Sequence, residues 1–185
     1  MRGNGGLRWR RPSWPSSTES RWRDVNNAGI NVLGDAHDLS PQDWERVLAV
    51  NLTAPWYLSK LVLPSMRERK RGVIVNIGSV GAYASDELAR GPYGASKAGL
   101  ESLTRTMASV SGAYGVRVVG VHPGIISTPW IEERISTAQL KDKPSLGRFG
   151  RAEEVAQTIA FLASDLASYI TGETIVVAGG FKMHP

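Results

Sequence analysis

From Asn26 onward, short β-branched runs alternate with helix-patterned segments, and this alternation constrains the fold more than any other feature of the chain. "GVIVNIGS" (72–79), "GVRVVGVHPG" (115–124) and "GETIVVAGG" (172–180) read as short apolar strands. Between them lie "LSPQDWERVL" (39–48), "YGASKAGLESLTRTMASVS" (93–111) and "AEEVAQTIAFLASD" (152–165), which read as helices. The first helix opens with Ser40 as N-cap, Pro41 in the first turn and Asp43 three residues after the cap. Trp44, Val47, Leu48 and Leu52 fall on one helical face and predict a buried stripe. The helix should run, with a bend near Pro55, to about Arg69, where the basic cluster and Gly72 stop it. Strands separated by helices of these lengths imply an α/β fold, a parallel sheet wound on both faces by right-handed crossovers. Ligands in such sheets bind beyond the carboxyl ends of the strands. Here that rule points to Asn26–Gly29, to Ser79, and to Pro123 with Gly124.

The first 25 residues do not share this pattern. They hold Gly3, Gly5, Gly6, Pro12, Pro15 and a Ser16-Ser17-Thr18 cluster, with no apolar period. Residues 1–25 therefore read as an atypical segment, disordered or artefactual, and residues 26–185 as the folded body. The net charge of +5 follows the same division: the segment has six arginines against Glu19 and Asp24, and the body is nearly neutral. A basic tail could bind nucleic acid or anionic lipid, but the body offers no basic stripe, so neither partner is expected. The chain has no cysteine, which excludes disulfides and thiolate chemistry and fits a cytoplasmic protein. His37, His122 and His184 lack metal-motif spacing, so no metal is assigned. No apolar run is long enough to span a membrane.

The chemistry concentrates around "PYGASK". Tyr93 and Lys97 are four apart in a helix and share a face. A nearby ammonium favours a phenolate, so the pair can move a proton at neutral pH. Ser79, just past a strand, can hold a substrate oxygen or serve as a turn cap. Asn51 interrupts an apolar helix face, and a buried amide needs partners. It reads either as an anchor for backbone and water near Lys97 or as a helix-bend residue.

Together, "NNAG" (26–29), "VNL" with Asn51, "NIGS" with Ser79, "YGASK", "HPGIISTP" (122–129) and the stretch 147–180 resemble the short-chain dehydrogenase/reductase family. The resemblance covers residues 26–185. It implies a Rossmann-like doubly wound domain and hydride transfer between NAD or NADP and a small-molecule carbonyl or alcohol. Tyr93 would be the acid–base, Lys97 would assist it and bond the nicotinamide ribose, Ser79 would orient the substrate, and Asn51 would hold a relay water. Asn26, Asn27, Ala28, Gly29, Pro123, Gly124, Ile126 and Thr128 would line the cofactor. Residues 127–150 would form a substrate lid, and two helices would pack against their copies in a homodimer or homotetramer.

In this family "NNAG" closes the fourth strand. The resemblance therefore implies three earlier strands and a Gly-rich pyrophosphate loop that this sequence does not show. "GNGG" (3–6) has neither a strand before it nor an amphipathic helix after it, and does not read as that loop. The residue that would choose between NAD and NADP is missing with it. The chain reads as a truncated reductase. The alternative is a catalytically inactive remnant that keeps the dimerisation and substrate half.

Overall fold

The structure, a computed structural model, describes residues 23–83, 90–133 and 143–181. Residues 3–6 and most of the N-terminal segment lie outside the described residues, as does the middle of the expected lid. Four strands form one parallel sheet in the order β1 (Arg23–Asn26), β2 (Gly72–Ile77), β3 (Val116–Pro123) and β4 (Thr174–Val177). The first strand takes in Arg23–Val25, which the sequence reading had placed on the other side of the boundary at Asn26.

Strand alternation sends the sheet's apolar side chains to two cores. Val73, Val75, Ile77, Val119 and Val121 meet helix α5 (Ala152–Leu162) through Val155 and Leu162. Ile74, Val116 and Val118 face the other way, onto Met66 of α2 (Ala54–Glu68) and Met107 and Ala108 of α3 (Gly91–Ser111). The sheet is thus covered on both faces, the doubly wound arrangement that the alternation requires.

Helix α1 (Pro41–Leu48) starts as its sequence predicts: Ser40 Oγ accepts the Asp43 N–H at 3.0 Å. The predicted buried stripe is narrower than expected. Val47 is fully buried, but Trp44 is 43% exposed because it borders a groove rather than the core. The expected bend near Pro55 is a π-helical turn, Ala49–Thr53, centred on Asn51. Proline has no N–H to give the carbonyl four residues back, and its ring crowds that carbonyl. The wider turn answers both problems, and the Ala54 N–H bonds Ala49 O instead.

The stop of α2 also differs from expectation. Lys70, not Gly72, takes the left-handed conformation, with φ of 51°. Gly72 lies buried in β2, where a Cβ would stand 2.6 Å from Met66 Sδ. Its need is close packing, not a turn.

Beyond β3 the chain returns on itself. Ile126 bridges to Gly150, the Ser127 N–H donates to Gly150 O at 2.7 Å, and the Gly150 N–H to Ile125 O at 3.0 Å. The two ends of the segment 127–150 are therefore tied together beside the sheet. It carries the short helix α4 (Pro129–Glu132).

Candidate active site

The carboxyl ends of β1, β2 and β3 and the start of α3 bring the predicted residues to one place. Lys97 is 3% exposed, and its Nζ donates to Ile77 O, the last residue of β2, at 2.7 Å. Burial pushes its pKa down to about 8. Its ammonium lies 5.6 Å from the centre of the Tyr93 ring, so one helical turn does place the two groups together. Tyr93 is half-buried.

Ser79 follows β2 in an extended conformation and caps the 3-10 turn Val80–Ala82, its Oγ accepting the Gly81 N–H at 3.1 Å. The capping role is therefore real, and it leaves the hydroxyl proton free to donate. A Cβ on Gly81 would sit 3.4 Å from Ser79 Oγ and 3.5 Å from Tyr93 Cε1, so both side chains flank this glycine.

Asn51 is fully buried and pairs with the backbone of Ile30 in both directions, accepting its N–H at 2.8 Å and donating to its carbonyl at 2.9 Å. Asn51 Nδ2 also donates to Ser96 Oγ at 3.1 Å, and that hydroxyl donates to Tyr93 O at 2.7 Å. The π turn, the loop after β1 and the first turn of α3 are thereby locked. The backbone anchoring of one reading of Asn51 and the helix irregularity of the other therefore occur together. Gly29 completes the cluster: a Cβ there would lie 3.5 Å from both Asn51 Oδ1 and Lys97 Nζ.

The other expected cofactor residues divide. Asn27, Ala28 and Gly29 are exposed at the end of β1. The Asn26 side chain instead turns into the sheet, where Nδ2 donates to Asn76 Oδ1 at 2.9 Å, and Asn76 Nδ2 donates to Thr104 Oγ1 at 2.9 Å. Asn26 thus ties strands to a helix, and only its backbone is left at the strand end. Pro123 ends β3. The Gly124 N–H donates to Val177 O at 3.0 Å, and a Cβ on Gly124 would strike Ala178 at 2.8 Å. Ile126 packs on the α5 core. Thr128 caps α4, its Oγ1 accepting the Ile131 N–H at 3.3 Å.

Sequence reasoning missed several neighbours. Asn76 had a visible signal, an amide inside a buried apolar strand. Arg90 had none. Its guanidinium lies 5.3 Å from the Tyr93 ring centre, and burial lowers its pKa while the charge of Tyr93 opposes that shift. His122 is 2% exposed and stacks on Tyr83, and its ring fills the space where Gly78 would carry a Cβ. Among the described residues no group of three or more metal-ligating side chains occurs, and no helix is long and apolar enough to cross a membrane.

A parallel doubly wound sheet with polar side chains gathered at its carboxyl ends is the arrangement of Rossmann-like α/β domains. The chain belongs to the short-chain dehydrogenase/reductase family: the family model described as enoyl-(acyl carrier protein) reductase matches residues 24–182. It is 42% identical over 160 residues to 3-oxoacyl-[acyl-carrier-protein] reductase FabG of Thermotoga maritima, covering 84% of this chain and 64% of that protein. The fold superposes on the crystal structure of a 3-oxoacyl-[acyl-carrier protein] reductase from Brucella melitensis with TM-score 0.84 and 33% identity, over 88% of this chain and 63% of that one. A 4-hydroxyisoleucine dehydrogenase mutant complexed with NADH and succinate gives TM-score 0.81 at 36% identity, over 86% and 67% of the two chains. The chain thus spans just under two thirds of the Thermotoga relative's length.

Proposed function

We propose that this chain carries the catalytic half of an oxidoreductase that moves a hydride between NAD(H) or NADP(H) and a carbonyl or alcohol, with Tyr93 as general acid–base. The observation that carries this reading is Lys97. An ammonium 3% exposed, held by one backbone carbonyl, is costly to bury, and among the described residues no carboxylate pairs with it. Such perturbed groups cluster at functional sites. Here the cation stands beside a phenol, at the sheet end where dinucleotides bind.

The residues fit a nicotinamide cofactor. Lys97 Nζ supplies further donors for a ribose, Gly29 leaves room next to it, and Thr128 and the backbone around Gly124 lie beyond the end of β3. When bound, the cofactor supplies or accepts the hydride. The protein's own part is the proton. In the reducing direction, Tyr93 releases its proton to the substrate oxygen, and Lys97 favours the phenolate left behind. Ser79 donates its free hydroxyl proton to the same oxygen. In the oxidising direction the Tyr93 phenolate would take the alcohol proton. Asn51 and Ser96 keep the Tyr93 backbone in place.

The test is a titration of folded protein with NADPH and with NADH, following tryptophan fluorescence, then a screen of carbonyl substrates by nicotinamide absorbance. Saturable binding and turnover are expected. Tyr93→Phe should bind cofactor like the parent chain and lose at least about 100-fold in rate. Folded protein that binds neither nucleotide would overturn the reading in favour of a non-catalytic remnant.

A further inference from the structure

The buried imidazole of His122 takes no part in the steps above. Along β3, Val119 and Val121 enter the α5 core and Val118 the α3 core, so alternation sends His122 to the side of the sheet that α3 covers. Its Cδ2–Nε2 edge lies against Gly78 and fills the space that a Cβ there would take. Its face stacks on Tyr83, with ring centres 5.9 Å apart and planes 28° off parallel. Gly78 and Tyr83 bracket Ser79 and the 3-10 turn Val80–Ala82 that Ser79 caps. One imidazole therefore touches both ends of the turn that carries the Ser79 hydroxyl. The middle of the same turn meets α3: a Cβ on Gly81 would lie 3.5 Å from Tyr93 Cε1, and one on Gly94 would lie 3.1 Å from Gly81 O. The peptide that joins Ile77 to Gly78 leads into this turn and also holds Lys97. Its carbonyl accepts from Lys97 Nζ at 2.7 Å, and its N–H donates to Val121 O, beside His122, at 2.8 Å.

We propose that His122 is a positioning residue: it holds the turn from Gly78 to Tyr83 against α3, so that the Ser79 hydroxyl and the Lys97 ammonium stay in register with Tyr93. The inference rests on the oxidoreductase reading for what that hydroxyl does, not for the hold itself. Two groups that act on one oxygen must be placed to a fraction of an ångström, and the residues that carry them must be locked by packing. Gly78 and Gly81 bring no side chains to stiffen the turn from within. A flat ring set against Gly78 and stacked on Tyr83 stiffens it from outside. Gly78 does not have the left-handed backbone that would require a glycine. The His122 ring requires it instead: an alanine Cβ would meet Cδ2 and Nε2 of that ring first, with the next nearest atom, His122 Cγ, 3.4 Å away. Removing the ring makes room for that methyl, so the two positions form a compensating pair.

The test is amide hydrogen exchange on the folded full chain, read by NMR at Gly81, whose N–H donates to Ser79 Oγ, and across β2 as the reference. His122→Ala should speed exchange at Gly81 by at least about tenfold and leave the β2 amides within about twofold of the parent. Gly78→Ala should act alike, because its methyl displaces the ring. The double variant should return Gly81 to within about threefold of the parent, whereas losses that merely add mark general destabilisation. Turnover with the carbonyl from the screen above gives the second reading. In each single variant kcat should fall at least about tenfold with KM within about threefold, and the double variant should recover it. Unchanged exchange at Gly81 in His122→Ala, equal acceleration across β2, or a double variant no better than the singles overturns the proposal. Full turnover by His122→Ala overturns it too and leaves the oxidoreductase reading intact. A parent chain whose variants show the expected exchange but which transfers no hydride sinks the oxidoreductase reading instead, and the hold of His122 on the turn stands.

Discussion

At the scale of single residues, Lys97 is a cation held almost wholly out of water. Its amine titrates near 8 in the folded chain because burial penalises the charged form. In the unfolded chain it returns to the ordinary lysine range. Between those two values the unfolded state binds more protons, so raising the pH across that window favours folding, and lowering it below 8 restores the full burial penalty. Lys97→Met has no such term. From pH 7 to pH 10, the parent chain should therefore gain about 2–3 kcal/mol of stability relative to Lys97→Met. Urea denaturation of both proteins at the two pH values measures it, and parallel behaviour would mean that the lysine is solvated. The tyrosine–lysine pair itself was legible in the sequence because helical spacing is local. Arg90 was not, because the two residues between it and Tyr93, Gly91 and Pro92, are a helix start and a proline, and only the folded turn sets the guanidinium over the ring.

Among the elements, α2 ends under strain. Lys70 occupies a left-handed conformation that costs a side-chain-bearing residue about 1 kcal/mol or more. Lys70→Gly should relieve part of this and raise stability by up to about 1 kcal/mol, less what glycine loses in the unfolded chain. A thermal melt of the two proteins reads the difference, and a lower melting temperature would show that the Lys70 side chain contributes more than its backbone costs. The sequence misplaced this stop because Gly72 is the usual residue for it. Tertiary packing had already claimed that glycine for the approach of Met66. The π turn at Asn51 follows a similar logic. Proline explains why a regular helix fails there, while the pairing of Asn51 with Ile30, twenty-one residues earlier, stabilises the turn that replaces it.

Across the whole molecule, one polar chain crosses the sheet beneath the site. Asn26 on β1, Asn76 on β2 and Thr104 on α3 are linked by bonds of 2.9 Å each. It sits on the same side as the Met66–Met107 core and joins three elements from distant parts of the sequence. Asn76→Ala removes the middle of this chain; Asn26 Nδ2 keeps only its longer bonds to Asp24 and Ser59, and Thr104 keeps its bond to Leu100 O, so the cost is about 1–2 kcal/mol. Because β1 pairs with β2 alone among the described strands, it should be released first. Hydrogen exchange should therefore speed up most at Arg23–Asn26, and uniform acceleration across all four strands would contradict that order. The same bond explains why Asn26, which the family resemblance placed with the cofactor, gives its side chain to the sheet instead.

The sequence by itself determined the alternation of elements, the parallel two-faced sheet, the cap at Ser40, and the presence of Ser79, Tyr93, Lys97 and Asn51 at strand ends and helix turns. These follow from period, propensity and local spacing, which act over a few residues. Only the tertiary structure decided where side chains with two competing uses were spent. Asn26 went to Asn76, Gly72 to Met66, Thr128 to a helix cap, and Trp44 to a groove wall rather than the core. Asn26 and Trp44 were decided by surfaces that arrive from tens of residues away, and Gly72 by the way the chain folds back from α2 onto β2; none of these approaches is written in a local pattern.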